Sequence, residues 1–367
     1  MSATANPVPQ VDSVTETGAT PSFNAQRAVS LSPYQRAWAR FKRNRLGYVS
    51  LWIFVVMLVV STGAELFSND KPFVTRINGQ LLFPMISNPS EKALGGDFVT
   101  PTDWKDPFIA ELKTKEGNWS VGAINPHSAQ STDYFSKAVP PSPPTTTNWF
   151  GTDSNGRDMV ARLLYGFRVS IWFAVALTIV GTVIGVVMGA IMGYFGGWVD
   201  LTLQRVVEIW GAVPELYFLI IFAAIFEPSL GLLLILLALW SWLGLSDYVR
   251  AEFLRNRSLE YVKAARALGL SNMQIIRRHV LPNSLTPVIT FIPFRMSAAI
   301  LALTSLDFLG LGVPASVPSL GQLLLQGKAN LDAWWIIFPT FVLLTVTMLL
   351  LTFIGDALRD AFDTRKS

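Results

Sequence analysis

Long stretches without a charged residue dominate the second half of the chain and limit the folds open to it. The clearest stretches run from Val169 to Met192 and from Ala333 to Gly355. Each is longer than the about 20 apolar residues that an α-helix needs to cross a hydrocarbon core about 30 Å thick. Only 15% of the 367 residues are charged, against about 25% in an ordinary soluble domain. The sequence therefore predicts an all-α integral membrane protein.

Six membrane-spanning helices account for the apolar runs. The first is predicted at 46–66, and the others at 168–192, 206–226, 228–246, 284–305 and 333–355. The polar, proline-rich stretch after the first helix is predicted to form an external loop domain at 67–165. The other divisions are an N-terminal tail at 1–45, a helical core at 166–356 and a C-terminal tail at 357–367. The first part of the N-terminal tail is expected to be disordered because it has little apolar area to bury.

The basic residues of the short loops and tails lie on one side of the predicted helices. The short segments on the other side, 227–229 and 307–332, hold only Lys328. Short cytoplasmic loops carry an excess of lysine and arginine, so both termini and the loop at 247–283 are predicted to be cytoplasmic. The residues that support this orientation are Arg27, Arg36, Arg40, Lys42, Arg43, Arg45, Arg250, Arg255, Arg257, Lys263, Arg266, Arg277 and Arg278.

The composition excludes several kinds of chemistry. The chain has no cysteine and two histidines, which excludes a disulfide framework, a thiol nucleophile and a His/Cys metal cluster. The segment GQLLLQGK at 321–328 differs from a phosphate-binding loop, because five residues separate its glycines and Ala329 replaces the usual Ser or Thr. We expect no catalytic residue, no metal, no cofactor and no nucleic-acid partner on this chain.

The cytoplasmic loop at 247–283 is predicted to contain two short helices. Ser258 is placed to cap the first helix, and Gly269 to close it in a left-handed conformation. Ser271 and Gln274 have the spacing of a capping box for the second helix. That helix is predicted to end before Pro282, since proline does not continue a helix.

The first of these helices carries an apolar stripe. Tyr261, Ala264, Ala265 and Leu268 fall at positions i, i+3, i+4 and i+7, beside Lys263. Such a stripe can dock in a groove of another protein. A basic helix can equally lie on the anionic inner face of a membrane. Periodicity alone leaves both interpretations open.

The segment KAARALG, followed by RHVLPN, resembles the EAA loop of permeases from binding-protein-dependent ABC importers. The spacing matches at Ala264, Ala265, Gly269, Leu281 and Pro282, whereas Lys263 stands where the family has an acidic residue. In that family the helix couples the permease to its ATPase, so the resemblance implies this role for 259–270. The residues expected to take part are Tyr261, Lys263, Ala264, Ala265, Leu268, Gly269 and Pro282.

A second motif lies at the end of the external loop. The segment from Asn148 to Gly166 resembles the GTD-x-x-GRD motif of dipeptide, oligopeptide and nickel permeases. The matching residues are Gly151, Thr152, Asp153, Gly156, Arg157 and Asp158. Glycines and acidic residues in this pattern are typical of a compact turn with local ion pairs. We favour that structural role over direct contact with substrate.

Further segments resemble the same family. SLDFLGLGVPASVPSLGQLL at 305–324 resembles its outer loop before the last helix, and NDKPF and LLFP in the external loop resemble the Yej-type peptide and microcin C importers. The resemblance implies the type I ABC importer permease fold, in a bacterial inner membrane, with the loop at 67–165 in the periplasm. It also implies that the chain forms half of a translocation pathway for peptides.

The implied partners are a second related permease in a heterodimer, ATPase subunits that bind ATP and magnesium, and a periplasmic substrate-binding protein. Import of nickel or another small solute is the alternative within the family. A secondary transporter or channel is a further alternative, but its usual internal repeats are not found in the sequence.

Small residues recur every four positions in the second predicted span, at Gly181, Gly185, Gly189 and Gly193. This pattern allows another helix backbone to approach closely. The partner helix lies either in the same subunit or across a dimer interface.

Two charged residues fall inside predicted spans, Arg295 in the fifth and Glu215 in the third. A lone charge in a membrane is costly and usually faces a polar pathway. Arg295 is predicted either to contact a peptide carboxylate during transport or to pair permanently with Glu215. Both interpretations stay open at this stage.

Overall fold

The computed structural model describes residues 33–132 and 139–363. The segment predicted to be disordered, the first part of the tail at 1–45, lies outside these residues. The last four residues of the C-terminal tail also lie outside them.

α-Helices make up most of the described chain. In chain order they are α1 (Pro33–Arg43), α2 (Arg45–Thr62), α3 (Ala64–Phe67), α4 (Pro107–Thr114), α5 (Met159–Phe195), α6 (Gly197–Gly211), α7 (Glu215–Ile225), α8 (Leu230–Ser241), α9 (Leu243–Asn256), α10 (Glu260–Ala267), α11 (Asn272–Ile275), α12 (Leu281–Phe308), α13 (Leu320–Ala329) and α14 (Trp334–Phe362). A π-helical turn, Ile276–Val280, joins α11 to α12, and the three form one helical run of 37 residues.

The prediction of six spans is confirmed in part. In the described residues five helical segments are long and apolar enough to cross a membrane, namely α2, α5, α8 with α9, α11 with α12, and α14. The predicted span at 206–226 is not one helix. α6 and α7 are long and apolar enough to cross a membrane only when taken together, and the two are bent by 64°. Pro214 immediately precedes α7 and cannot continue the hydrogen bonding of α6. The count is therefore five, or six if the bent pair forms one span.

The second span begins earlier than predicted. It starts at Met159 instead of 168, so the external loop ends before the predicted 165. At about 1.5 Å per residue, its 37 residues exceed the thickness of a hydrocarbon core. Its first turns carry Arg162 and Arg168, and Arg168 pairs with Glu65 at 2.7 Å. Hydropathy missed these turns because protein contacts, not lipid, surround their charges.

The prediction that the protein is all-α was wrong for the external loop. The strands β1 (Val74–Ile77), β2 (Gln80–Leu82) and β3 (Trp119–Val121) form an antiparallel sheet in the order β2-β1-β3. Asn78 and Gly79, both with positive φ, make the two-residue turn between β1 and β2 that hairpins favour. The sheet and α4 enclose a small core of Ile77, Leu94, Trp104, Ile109 and Leu112.

The largest hydrophobic core lies between the membrane helices. It joins α5, α8, α12, α13 and α14 through residues such as Ile171, Leu236, Ile300, Leu323 and Ile336. A second core lies where α5, α9 and α12 meet the loop that carries α10. These two cores hold the segments that carry the predicted functional residues.

Candidate functional site

The loop at 247–283 forms a helical hairpin close to the predicted one. Gly269 has φ +80°, and Ser271 and Gln274 form both hydrogen bonds of a capping box, so these two predictions are confirmed. Ser258 does not cap α10, because its hydroxyl donates to the Arg255 carbonyl oxygen at 2.8 Å. Leu259 occupies the N-cap position instead, without a side-chain hydrogen bond.

The second helix of the hairpin does not end before Pro282, so this prediction was wrong. The chain continues through the π-helical turn into α12, and Pro282 lies in the first turn of α12. Proline lacks an N–H group and its ring clashes with the carbonyl four residues back. A π-helical turn is wider than an α-helical one and leaves room at this point.

The helix α10 has one buried and one exposed face. Val262 and Ala265, 0% and 6% exposed, pack into the second core. Tyr261 and Leu268 are exposed, Leu268 by 80%. Lys263, Ala264 and Gly269 are exposed as well. The predicted stripe is therefore divided, since Ala265 faces the chain's own helices and the other stripe residues face outward.

Polar contacts fix the hairpin to the membrane helices. Asn283 donates to the Tyr261 hydroxyl at 3.0 Å, and the Tyr194 hydroxyl donates to Asn272 at 2.9 Å. Lys263 and Glu260 form an exposed ion pair at 2.8 Å within α10. A displacement of α10 would therefore be transmitted to α5 and α12.

The GTD-x-x-GRD segment forms a buried turn directly before α5. Asp153 pairs with Arg157 at 2.7 Å and accepts a hydrogen bond from the Arg157 backbone amide at 2.9 Å. Asp158 is the N-cap of α5 and accepts from the Ala161 amide at 2.9 Å. Thr152 is hydrogen-bonded to Ser142 at 2.8 Å.

This turn contacts the outer loop that precedes the last helix. Arg157 donates to the Ala315 carbonyl oxygen at 2.9 Å, and the Trp335 indole donates to the Thr152 carbonyl oxygen at 3.2 Å. Gly151 lies against Trp335, and Gly156 against Pro140 and Thr132. These contacts support the structural interpretation of the motif and bring together the two segments that resemble the permease family.

The glycines of α5 lie against α8, α9 and the bend between them, within the same subunit. A β-carbon added at Gly189 would lie 2.5 Å from the Ser246 carbonyl oxygen, and one at Gly193 would lie 2.6 Å from that of Arg250. Gly185 faces Trp242 and Leu245, and Gly181 faces Ser241 and Arg295. The structure thus shows the contact within the subunit, one of the two predicted alternatives.

Arg295 and Glu215 line the same cavity between the membrane helices. The cavity has a volume of about 190 Å³ and is also lined by Thr178, Trp240 and Ser241. The side chains of Arg295 and Glu215 form no ion pair within 4.0 Å of each other in this structure. The permanent pair that was one sequence interpretation is therefore not formed here.

Sequence reasoning missed several residues of these sites. Thr178 lies within an apolar run, and nothing in its sequence neighbourhood distinguishes it. Its place in the cavity depends on how α5 packs on α12. Val262 and Asn283 hold the hairpin, yet lie outside the predicted stripe. The i, i+3 spacing of Val262 and Ala265 would have identified Val262 as a neighbour of the stripe on its buried side. Asn283 had no distinguishing signal.

The described residues contain no group of three or more His, Asp or Glu side chains that could hold a metal ion. The absence of cofactors on this chain stays a prediction.

The fold and these sites define a multi-pass membrane protein with a cavity that holds two charged side chains between its helices and a helical hairpin outside them, as in the membrane subunit of a transport system. Two family profiles match the chain. They are the binding-protein-dependent transport system inner membrane component, at residues 185–367, and the N-terminal TM domain of oligopeptide transport permease C, at residues 32–84.

Relatives match nearly the whole chain. It is 45% identical to the inner membrane ABC transporter permease protein YejE of Escherichia coli, over 92% of this chain and 99% of the relative. It is 44% identical to the peptidoglycan transport system permease protein YejE of Agrobacterium fabrum, over 91% and 93%. The dipeptide transport system permease protein DppC of Lactococcus lactis is 33% identical, over 92% of both chains. The chain therefore belongs to the family of inner-membrane permease components of binding-protein-dependent ABC transport systems.

Proposed function

We propose that this chain is the permease subunit of an ATP-driven importer of peptides and forms half of the translocation pathway. The proposed substrate class rests on relatives whose names refer to dipeptide and peptidoglycan transport. Oligopeptides are the proposed cargo, and microcin C-like peptide conjugates have the same backbone chemistry. The other half of the pathway is formed by a second related permease, and a periplasmic binding protein delivers the peptide.

The observation that carries the coupling role is the exposed face of α10. This helix buries Val262 and Ala265 against its own subunit, and Leu268, directly after its last residue, is 80% exposed. A large apolar side chain at this exposure, on a helix held in place by its other face, is suited to a groove in a partner protein. We assign that groove to an ATPase subunit, which binds ATP and magnesium and carries out the hydrolysis.

In this mechanism the ATPases move α10 when they close on ATP. The hairpin transmits the movement to α5, α9 and α12 through the second core, and the helices switch between outward-facing and inward-facing arrangements. Both termini and the hairpin lie in the cytoplasm, and the domain with the three-stranded sheet lies in the periplasm.

The test is co-purification from the native membrane in mild detergent. We expect an ATPase and a second permease to accompany the tagged wild-type chain. Leu268→Asp should reduce the recovered ATPase at least about tenfold, because it places a charge in an apolar contact. The matched control is Leu331→Asp, the same substitution at a residue 79% exposed in the segment before α14, which should retain the ATPase.

Two results would count against the proposal. A Leu268→Asp chain that retains the full amount of ATPase would show that α10 does not make the contact. A wild-type chain that purifies alone and still transports would contradict the importer itself. Ala265 is unsuitable for this test, since its burial against the chain's own core means that a charge there would also destabilise the subunit.

A further inference from the structure

The cavity between α5, α7, α8 and α12 has a cationic side and an anionic side. Arg295 of α12 and Thr178 of α5 line it together with Glu215, the first residue of α7. These residues are distant in the sequence, so the cavity exists only in the folded subunit.

Three polar side chains of this cavity, those of Arg295, Thr178 and Glu215, lack hydrogen-bond partners in the described part of the chain. The Arg295 Nε atom and the Thr178 hydroxyl are buried without a hydrogen bond. Thr178 is 5% exposed, so water does not readily replace the missing partner. Glu215 forms no hydrogen bond or ion pair with any described residue. Buried groups of this kind are costly unless they are satisfied in another state of the protein.

The packing around Arg295 leaves room for its guanidinium group. A β-carbon at Gly181 would lie 2.5 Å from Arg295 Nη2 and would also collide with the Ser241 hydroxyl. Gly181 is one turn of α5 beyond Thr178. The absence of a side chain at 181 thus leaves space for the guanidinium group beside Ser241, in the cavity that Thr178 also lines.

We propose that this cavity binds the C-terminal carboxylate of the transported peptide. Arg295 and Thr178 donate hydrogen bonds to the carboxylate, and Glu215 accepts one from an N–H group of the same peptide end. The inference rests on the proposed import of peptides and adds to it the part of the substrate that this subunit recognises.

Three features favour a carboxylate. A guanidinium group matches the planar geometry of a carboxylate and binds it strongly by charge-assisted hydrogen bonds. The cavity volume of about 190 Å³ is below the about 300–1,000 Å³ of pockets that enclose a drug-sized ligand, so the cavity suits one end of a peptide better than its whole length. Arg295 also repels a bare divalent cation, which disfavours nickel as the occupant.

The experiment uses the complete importer in proteoliposomes, with the second permease, the ATPases and the binding protein. Uptake of a labelled peptide with a free C-terminus is compared with uptake of the same peptide as its C-terminal amide, for the wild type and for Arg295→Gln. Any preference of the binding protein affects both importers equally and cancels when their uptake ratios are compared.

We expect Arg295→Gln to lower uptake of the free acid about tenfold, because it removes a charge-assisted hydrogen bond, and to lower uptake of the amide much less, because the neutral amide forms only a weaker hydrogen bond there. Arg295→Lys keeps the charge and should retain part of the preference, which keeps the test decisive if the Gln variant is poorly folded. Thr178→Val preserves the side-chain shape and should produce a smaller loss of the same preference.

An equal loss for both peptides in Arg295→Gln would overturn the inference, because that result indicates a structural role for Arg295. An amidated peptide that ends in glutamate carries its carboxylate on a side chain. If its uptake is also sensitive to Arg295→Gln, the assignment to the peptide terminus is overturned. A wild-type importer that transports neither peptide would overturn the proposed function together with the inference.

Discussion

At the scale of single residues, the glycines of α5 determine how closely the helices approach. Gly189→Ala should destabilise the subunit by about 1–3 kcal/mol, because the new methyl group would lie 2.5 Å from the Ser246 carbonyl oxygen and 2.7 Å from the Val249 β-carbon. The measurement is thermal unfolding of the purified importer in detergent.

The matched control for this substitution is Gly244→Ala on the facing helix α9, where an added β-carbon has no neighbour within 4 Å. Alanine favours a helix over glycine, so this variant should be as stable as the wild type or more so. Equal melting temperatures for the two variants would contradict the close contact of α5 and α9.

At the scale of secondary-structure elements, Asp158 joins the external domain to the start of α5. Its carboxylate accepts from the Ala161 amide, from Asn125 at 2.8 Å and from Asn148 at 3.0 Å. Asp158→Ala removes these acceptors from a buried site and should cost several kcal/mol. We expect faster proteolysis of the external domain in spheroplasts.

Asp106→Ala is the comparison for this cap. Asp106 caps the short helix α4 through the Phe108 amide at 2.8 Å, in a half-buried position. Its loss should cost about 1 kcal/mol and affect α4 alone. If the two variants are cleaved at the same rate, Asp158 does not connect the elements as the structure indicates.

Local sequence signals predicted the structure well where the conformation depends on neighbouring residues in the chain. The capping box at Ser271 and Gln274 and the left-handed Gly269 were predictable because each depends on neighbours a few residues away. The start of α5 at Met159 was not, since Arg162 is buried by the external domain and not by lipid. Pro214 signalled the break before α7, but an apolar run on both sides concealed it.

The candidate sites were predictable only in part. Motif resemblance located the hairpin and the turn before α5, and the rule against lone charges in membranes located Arg295. Their geometry was not available from the sequence. No sequence pattern brings Thr178, Glu215 and Arg295 to one cavity, because their proximity results from the packing of α5, α7 and α12.

At the scale of the whole molecule, the natural absence of cysteine allows the orientation in the membrane to be measured with single substitutions. We expect Thr146→Cys, exposed in the external loop, to react with a membrane-impermeant maleimide in intact spheroplasts. Ser258→Cys, exposed beside α10, should react only after permeabilisation. The opposite labelling pattern would reverse the proposed orientation, and neither change alters a buried contact.

The continuous helical run from Asn272 to Phe308 carries residues of both functional regions. Ile275, near its start, belongs to the core beneath α10, and Arg295 lies about 30 Å further along at 1.5 Å per residue. Thermodynamic linkage then requires reciprocity. If docking at the hairpin changes the affinity of the cavity for its ligand by some factor, occupancy of the cavity must change the affinity of the docked partner by the same factor.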